Sequence, residues 1–357
     1  MNSAKQNLKL LIQHPEEVIS QYDLVYVNQD HLSIQRQKCG KGFTYRLKSK
    51  PIDKAKHLTR IKSLVIPPAW KNVEICLLSN GHIQAVGIDD KNRKQYIYHA
   101  NWLKIRNQTK FYKMTAFGAQ LPKIREQVDK DLDQKGWPKS KIIALVIRLM
   151  EETHIRIGNE QYAKRNQSYG LSTFKKRHVK MHDKVLKFEF TGKKGVKHAI
   201  TLKNKKLIKL ISKCEEIPGW DLFKYQDDSG EKHSIESDMI NKYVQAISDE
   251  IFTAKDFRTW GASIVFLEML TELDIVETEK ELDKNIVNAL DTTAKALGNT
   301  RSVCRDYYVH PHLVDSYKKG SLTKSFKKIK ENTENTDFLS STEQEFLKII
   351  KNYKPDN

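Results

Sequence analysis

Cysteine is scarce in this chain. Cys39, Cys76, Cys214 and Cys304 are all it has, and they stand far apart. That spacing offers no CxxC pair, so neither a zinc cage nor a disulfide framework is indicated, and a reducing cytoplasm fits. Long hydrophobic runs are missing too. No apolar stretch approaches the roughly 20 residues of a membrane span. The opening MNSAKQNLKLLIQHPEE is too broken by polar residues to read as a signal peptide. There is no internal repeat. His178 and His182 stand four apart, but at the start of a strand pattern rather than on a helix, so no metal site and no cofactor are expected. Negative charge is in deficit. Against 63 basic residues there are 44 acidic ones, a net charge of +19. Such an excess favours a polyanionic partner and says nothing about fold.

With 357 residues, of which 39% are hydrophobic, two domains with real cores are expected. Residues 4–20 predict a short amphipathic helix with Leu8, Leu11 and Ile12 on one face. Residues 21–110 carry short runs rich in β-branched and aromatic residues: Leu24–Val27, Phe43–Leu47, Val73–Leu77, Ile83–Ile88 and Tyr96–His99. Turn signals separate them, Gly40-Lys41-Gly42 and the hairpin pair Asn80-Gly81 among them. A helix is expected over Asp53–Ile61. From about Gln120 the apolar spacing becomes helical. One helix is expected to open at Trp137-Pro138 and run on to about Arg165. A hairpin follows, Val185–Phe190 with Val196–Leu202, then helices over Lys205–Cys214, Ser237–Ser248, Asp256–Leu270 and Glu279–Leu297. Lys318–Asp337 reads as a mobile polar stretch. A last helix, Thr342–Tyr353, has Thr342 and Glu345 at capping-box spacing. The expected class is α+β: a small antiparallel β domain over residues 1–110, a larger, mainly helical domain with a β-hairpin over 111–317, and a C-terminal segment over 318–357. A polar link, Asn101–Lys113, is expected between the first two.

One stretch organises the chemistry, Gly298–Pro311, GNTRSVCRDYYVHP. Gly298 suits the left-handed residue that ends a helix, and Thr300 can cap a short new one. That helix carries two adjacent tyrosines, Tyr307 and Tyr308, which could simply be one packed and one solvated. Elsewhere ETHIRIG, FTGKKG and KDFRTWG supply Arg156, Lys193 and Arg258. Lys193 falls at a hairpin tip. Arg258 lies near a helix N-terminus, where a cation opposes the helix dipole and needs compensation. Two arginines, a lysine and a tyrosine make a metal-free set for attack on a phosphodiester. In the N-terminal third, KNRKQYIYH places Arg93, Gln95 and Ile97 on one face of a strand and Lys94, Tyr96 and Tyr98 on the other. Such an edge strand could lie against phosphates and bases.

From about Asp23 to His312 the motifs resemble the short type IB DNA topoisomerases of bacteria and poxviruses. VIPPAWKNVEIC, GHIQAVGIDDKNRKQYIYH, ETHIRIGNEQYAKRNQSYGLSTFKKRHV, FTGKKGVKHA, DFRTWGAS and LGNTRSVCRDYYVHP carry the resemblance. It implies Tyr308 as nucleophile, Arg156 and Arg258 on the phosphate oxygens, Lys193 as proton donor and Asn299 as a further donor. It implies DNA contacts at Arg93, Gln95, Tyr96, Tyr98, Tyr162 and Thr173. Many members have His where Asn299 stands, and a proline at Arg301, which adds a phosphate contact. The resemblance further implies ATP- and metal-independent relaxation of duplex DNA through a 3′-phosphotyrosyl intermediate, by a monomer that clamps DNA in a bacterial cytoplasm, associated with the nucleoid. Two other classes stay open: a tyrosine recombinase, which uses a similar residue set, and a non-enzymatic DNA-binding protein.

Overall fold

The structure, a computed structural model, describes residues 10–11, 13–52, 55–182, 184–227, 229–331, 338–351 and 353. The chain divides into two compact units, Met1–Phe111 and Tyr112–Lys354.

In the first unit Leu10, Leu11 and Gln13 are helical, and Leu11 is buried. Leu8 and Ile12 of the expected stripe lie outside the described residues. A short turn of helix, α1 (Pro15–Val18), follows. Six strands then form one sheet: β1 (Ile34–Cys39), β2 (Gly42–Leu47), β3 (Lys50–Pro51), β4 (Lys71–Ile75), β5 (Ile83–Ile88) and β6 (Lys94–Tyr98). Their order is β3-β2-β1-β4-β5-β6, and every pairing is antiparallel. Strand β1 is not legible in the sequence, because IQRQKC buries only Ile34 and therefore lacks an apolar alternation. Helix α2 (Ala55–Ser63) lays Ile61 into a core with Ile34, Val73, Ile75 and Ala85. The expected start of that helix, Asp53, lies outside the described residues.

Two expectations fail here. Leu24–Val27 is no strand: only Val25 pairs, in an isolated bridge to Gly81. Asn80-Gly81 does not form a tight hairpin, since β4 ends at Ile75 and β5 begins at Ile83. Gly81 is needed for a close approach instead. A Cβ there would stand 2.6 Å from Val27 and 2.7 Å from Cys76.

Helix α3 (Ala100–Leu132) begins about twenty residues earlier than the apolar period suggested. Trp102, Ile105 and Thr109 are buried at spacings of three and four, but the many polar residues between them mask the pattern. The expected polar link Asn101–Lys113 is therefore helical.

The second unit continues with α4 (Lys139–Thr153) and α5 (Glu160–Asn166). These were expected as one helix. The first ends because His154 turns left-handed at φ 53°, and Gly158 follows at φ 94°. Asn159 restarts the helix, its side chain accepting the Tyr162 N–H. A three-stranded sheet, β7 (Val179–His182), β8 (Val185–Thr191) and β9 (Lys197–Leu202), contains the expected hairpin. Leu186 and Phe188 are fully buried. After α6 (Lys205–Glu216) comes a two-stranded ribbon absent from the sequence reading, β10 (Lys224–Gln226) with β11 (Lys232–Ser234). Then follow α7 (Ser237–Ser248), α8 (Ala254–Leu273), α9 (Glu279–Leu297), α10 (Arg301–Tyr307) and α11 (Pro311–Lys318).

The C-terminal segment is more ordered than expected. Helix α12 (Thr323–Glu331) buries Phe326, while residues 332–337 of the supposed mobile stretch lie outside the described residues. The last helix, α13 (Ser341–Ile350), is capped by Ser340 and Glu343 rather than Thr342 and Glu345. Thr342 and Glu345 are buried instead. Glu343 also accepts from Arg125 and from the Trp260 indole at 2.8 Å, which ties α13 to α3 and α8.

Candidate active site

The site is built where helices stop. Thr153, the last residue of α4, turns its hydroxyl back to the Leu149 carbonyl, and the left-handed His154 ends the helix. The chain then leaves the helix, and Arg156 lies in the loop between α4 and α5. That loop is held from behind: Leu171 N donates to Arg156 O at 2.9 Å and Ser172 N to Ile157 O at 2.6 Å. Gly170 permits the approach, because a Cβ there would stand 2.4 Å from Arg156 O. Thr173, expected to touch DNA, is buried, and its hydroxyl accepts the Gly170 N–H at 3.0 Å. Its place is beneath the Arg156 loop rather than on an exposed face.

Arg258, in the second turn of α8, is 5% exposed. The compensation it needs comes from two other helix ends. Nη2 donates to Leu297 O, the last residue of α9, at 2.9 Å, and Nη1 donates to His154 O, just past α4. Carbonyls at helix C-termini carry partial negative charge, so the guanidinium sits where two dipoles favour a cation. Burial, and then the neighbouring Arg156, push its pKa down to about 10. It stays charged at neutral pH.

Gly298 ends α9 at φ 57°, as its sequence position predicts. Asn299 follows and receives Arg156: Nη2 donates to Oδ1 at 2.6 Å. The guanidinium can only donate, so the amide must turn its carbonyl to Arg156. Asn299 Nδ2 is left as a buried donor without a partner, and so is Arg258 Nε. Buried donors are usually satisfied, and two bare ones, one on the Arg258 guanidinium itself and one on Asn299 beside Arg156, are what an oxyanion would fill.

Thr300 caps α10, accepting the Val303 N–H. The two tyrosines at its end diverge. Tyr307 is 44% exposed. Tyr308 turns inward, with the Arg258 guanidinium 5.5 Å from its ring centre. Its carbonyl takes the Ser263 hydroxyl at 3.3 Å. Burial pushes the Tyr308 phenol up, but the charges of Arg258 and Arg156, and their hydrogen bonding to the hydroxyl, outweigh it and leave the pKa below its ordinary value. Lys193 follows Gly192 at the β8–β9 turn and is exposed. Desolvation, then Arg156, hold its ammonium below the usual lysine value, while Tyr308 pulls the other way. Arg156, Lys193, Arg258, Asn299 and Tyr308 thus come together from four separate segments, the last two sharing the Gly298–Pro311 stretch. Sequence reading missed three residues around them: His154, His198 and Ser263. None falls in a periodic pattern. The one signal was that each lies within a block already singled out for its neighbour, ETHIRIG, FTGKKGVKHA and DFRTWGAS.

The expected DNA-facing strand, β6, is the edge of the first unit's sheet. Tyr96 is exposed and stacks on Tyr98 with ring centres 5.9 Å apart. Arg93 and Gln95 are joined by a residue read only as part of a turn. Asp89 accepts from Arg93 Nε at 2.8 Å and from Gln95 Nε2 at 2.9 Å. Hydrogen bonding from Arg93 holds its carboxyl at about 2. Tyr162 is exposed on α5. Arg301 is held by Asp291 in a bidentate pair, at 2.6 and 2.5 Å.

Comparison with known proteins identifies the family. The family model described as the catalytic core of eukaryotic DNA topoisomerase I matches residues 99–336, and that of the bacterial DNA topoisomerase IB N-terminal domain matches residues 42–89. The DNA topoisomerase 1B of Acanthamoeba polyphaga mimivirus is 33% identical over 339 residues, covering 92% of this chain and 98% of that protein. The DNA topoisomerase 1B of vaccinia virus (strain Copenhagen) is 24% identical over 257 residues, 71% of this chain and 77% of that one.

Proposed function

The chain belongs to the type IB DNA topoisomerases, which relax supercoiled DNA by cleavage and religation, and from that premise we propose how its own residues perform the reaction. Tyr308 gives up its phenolic proton to solvent and attacks a phosphodiester as the phenolate. Its oxygen bonds to phosphorus, the bond from phosphorus to the 5′ oxygen breaks, and a 3′-phosphotyrosyl enzyme is left. Arg156 and Arg258 hold the nonbridging oxygens as charge builds on them. Asn299 Nδ2 adds a neutral donor. Lys193 gives its proton to the departing 5′ oxygen. After the free end swivels, the 5′ hydroxyl attacks back and Tyr308 leaves. The covalent bond stores the energy of the broken one, so no ATP is required, and Arg156 and Arg258 supply the charge stabilisation for which a metal would otherwise be needed.

The observation that carries this reading is the placement of Tyr308, and not Tyr307, against two buried or half-buried arginines that lower its pKa. An ordinary tyrosine, with a pKa near 10, is about one part in a thousand ionised at neutral pH. Duplex DNA is the partner, with Tyr96 and Tyr162 as exposed contacts, the half-buried Tyr98 stacked on Tyr96, and Arg93 and Gln95 as a pair positioned by Asp89. A single copy acts as a clamp. The net charge of +19 fits such a partner.

Relaxation tests the scheme. Supercoils of either sign should relax in EDTA without nucleotide, and activity should fall steeply with salt as phosphate contacts release counterions. Strict dependence on magnesium or ATP would contradict it. Among the described residues no helix is long and apolar enough to cross a membrane.

A further inference from the structure

His198 lies on β9 opposite Phe190 and stacks on that ring, with centres 5.0 Å apart and planes 20° from parallel. Its two edges meet two glycines. A Cβ on Gly192 would stand 2.7 Å from both Cδ2 and Nε2, and a Cβ on Gly298 would stand 2.3 Å from Cε1 and 2.8 Å from Nδ1. Gly192 directly precedes Lys193, and Gly298 directly precedes Asn299. The imidazole therefore fills the space left by two missing side chains, one on the turn of the proton donor and one on the turn of the oxyanion donor.

Little room remains around the ring. The cavity it shares with His154, Arg156, Lys193 and Arg258 measures about 20 Å³. The two glycines are required for different reasons. Gly298 has φ 57°, a left-handed conformation that L side chains rarely adopt. Gly192 has φ −97° and ψ −163°, ordinary extended backbone. The nearest atoms to an added Cβ at Gly192 are those of His198, and the next, on Phe190, is 3.5 Å away. Thus the imidazole, and not the backbone, is what forbids alanine at 192.

We infer that His198 is a positioning residue, a wedge that fixes the Lys193 turn against the Gly298–Asn299 turn and so sets the proton donor over the 5′ oxygen. The ring touches neither Tyr308 nor the reacting phosphate in this role; it acts through Lys193. Burial, and then Arg156 and Arg258, keep it below the ordinary histidine pKa, consistent with a neutral spacer among cations. The inference rests on the proposed role of Lys193 as the acid, and its test separates the two.

The test is single-turnover cleavage by the full chain on a duplex with oxygen, or alternatively sulfur, at the 5′ bridging position of a mapped site. A sulfur leaving group scarcely needs a proton. Misplacing a catalytic group by about 1 Å costs on the order of 10²-fold. His198→Ala should lose about that much on the oxygen substrate and recover most of it on the sulfur one, as should Lys193→Ala. Gly192→Ala should be slow, and the double variant Gly192→Ala/His198→Ala should be no slower than His198→Ala alone, since the clash has been removed. If sulfur rescues Lys193→Ala but not His198→Ala, the wedge is overturned and the acid stands. If sulfur fails to rescue Lys193→Ala, the acid is overturned, and the wedge stands or falls on the double variant. Additive losses at Gly192 and His198 would overturn it.

Discussion

Asn299 offers the most quantitative test of how the site stabilises charge. Its Oδ1 anchors Arg156 at 2.6 Å, while its Nδ2 is buried and bare. The first bond exists before and after the transition state, so its removal mainly loosens Arg156. The second can form only when an oxygen arrives. A hydrogen bond to a charged group contributes about 1.5–3 kcal/mol. At roughly 1.4 kcal/mol per tenfold, Asn299→Ala should slow cleavage by about 10- to 10²-fold. Asn299→Asp separates the two jobs. It keeps an acceptor for Arg156 but deletes the donor and turns a carboxylate toward the phosphate. Two like charges about 4 Å apart cost about 4 kcal/mol at an effective dielectric of 20, a further factor of up to about 10³. Asn299→His keeps a donor and should be tolerated. The expected order in single-turnover cleavage is wild type, close to His, then Ala, then Asp. If Asp cleaves faster than Ala, the residue serves only to hold Arg156. If Ala abolishes cleavage outright, one hydrogen bond is too small an account.

Three further expectations concern pH and stability. Under the proposed mechanism cleavage requires an ionised Tyr308 and a protonated Lys193, and both pKa values are lowered. The pH–rate profile should be bell-shaped with both limbs below those of the free side chains, and Lys193→Ala should lose the falling limb; a profile without limbs would remove both roles. Burial, with Arg258 at His154 and Arg177 and Lys175 at His178, pushes these two histidines down to about 4. Between about pH 6.5 and 4 the unfolded chain binds protons that the folded chain refuses, so stability should fall as pH falls through that window. Denaturant melts should show this slope, and His178→Asn, which can still accept the Lys175 N–H, should flatten it. Glu343→Ala leaves the Trp260 indole unpaired and Arg125 with Glu151 as its remaining carboxylate partner. Breaking a buried pair from one side costs about 3–5 kcal/mol, readable as a lowered thermal midpoint. The carboxyl lies below its ordinary pKa, so this stabilisation is present above the unfolded value and lost as pH falls through the folded one.

Much of this site could be read from the chain because its parts are local. Gly298 and Thr300 announce the end of one helix and the start of the next, and the structure has both caps. The hairpin alternation places Lys193 at a turn, and the helix over Glu279–Leu297 is bounded as its spacing predicts. What could not be read depends on contacts distant in sequence. Arg258 looked uncompensated because its partners, Leu297 O and His154 O, are backbone atoms of other segments. His154 breaks a helix that periodicity would continue, and only the loop it starts makes sense of Arg156. Asp89 reads as a turn residue until the fold brings Arg93 and Gln95 onto it. The β1 strand and the onset of α3 were hidden by polar residues on exposed faces.

Tyr308, and not its neighbour, is the residue proposed to break the DNA strand. Denaturing the enzyme during relaxation of radiolabelled DNA, digesting the adduct and sequencing the modified peptide by mass spectrometry tests it directly. The expected result is a nucleotide joined through its 3′ phosphate to Tyr308, no adduct in Tyr308→Phe with DNA binding nearly intact, and most activity retained in Tyr307→Phe. A modified Tyr307, a 5′ linkage, or an adduct that survives Tyr308→Phe would contradict it.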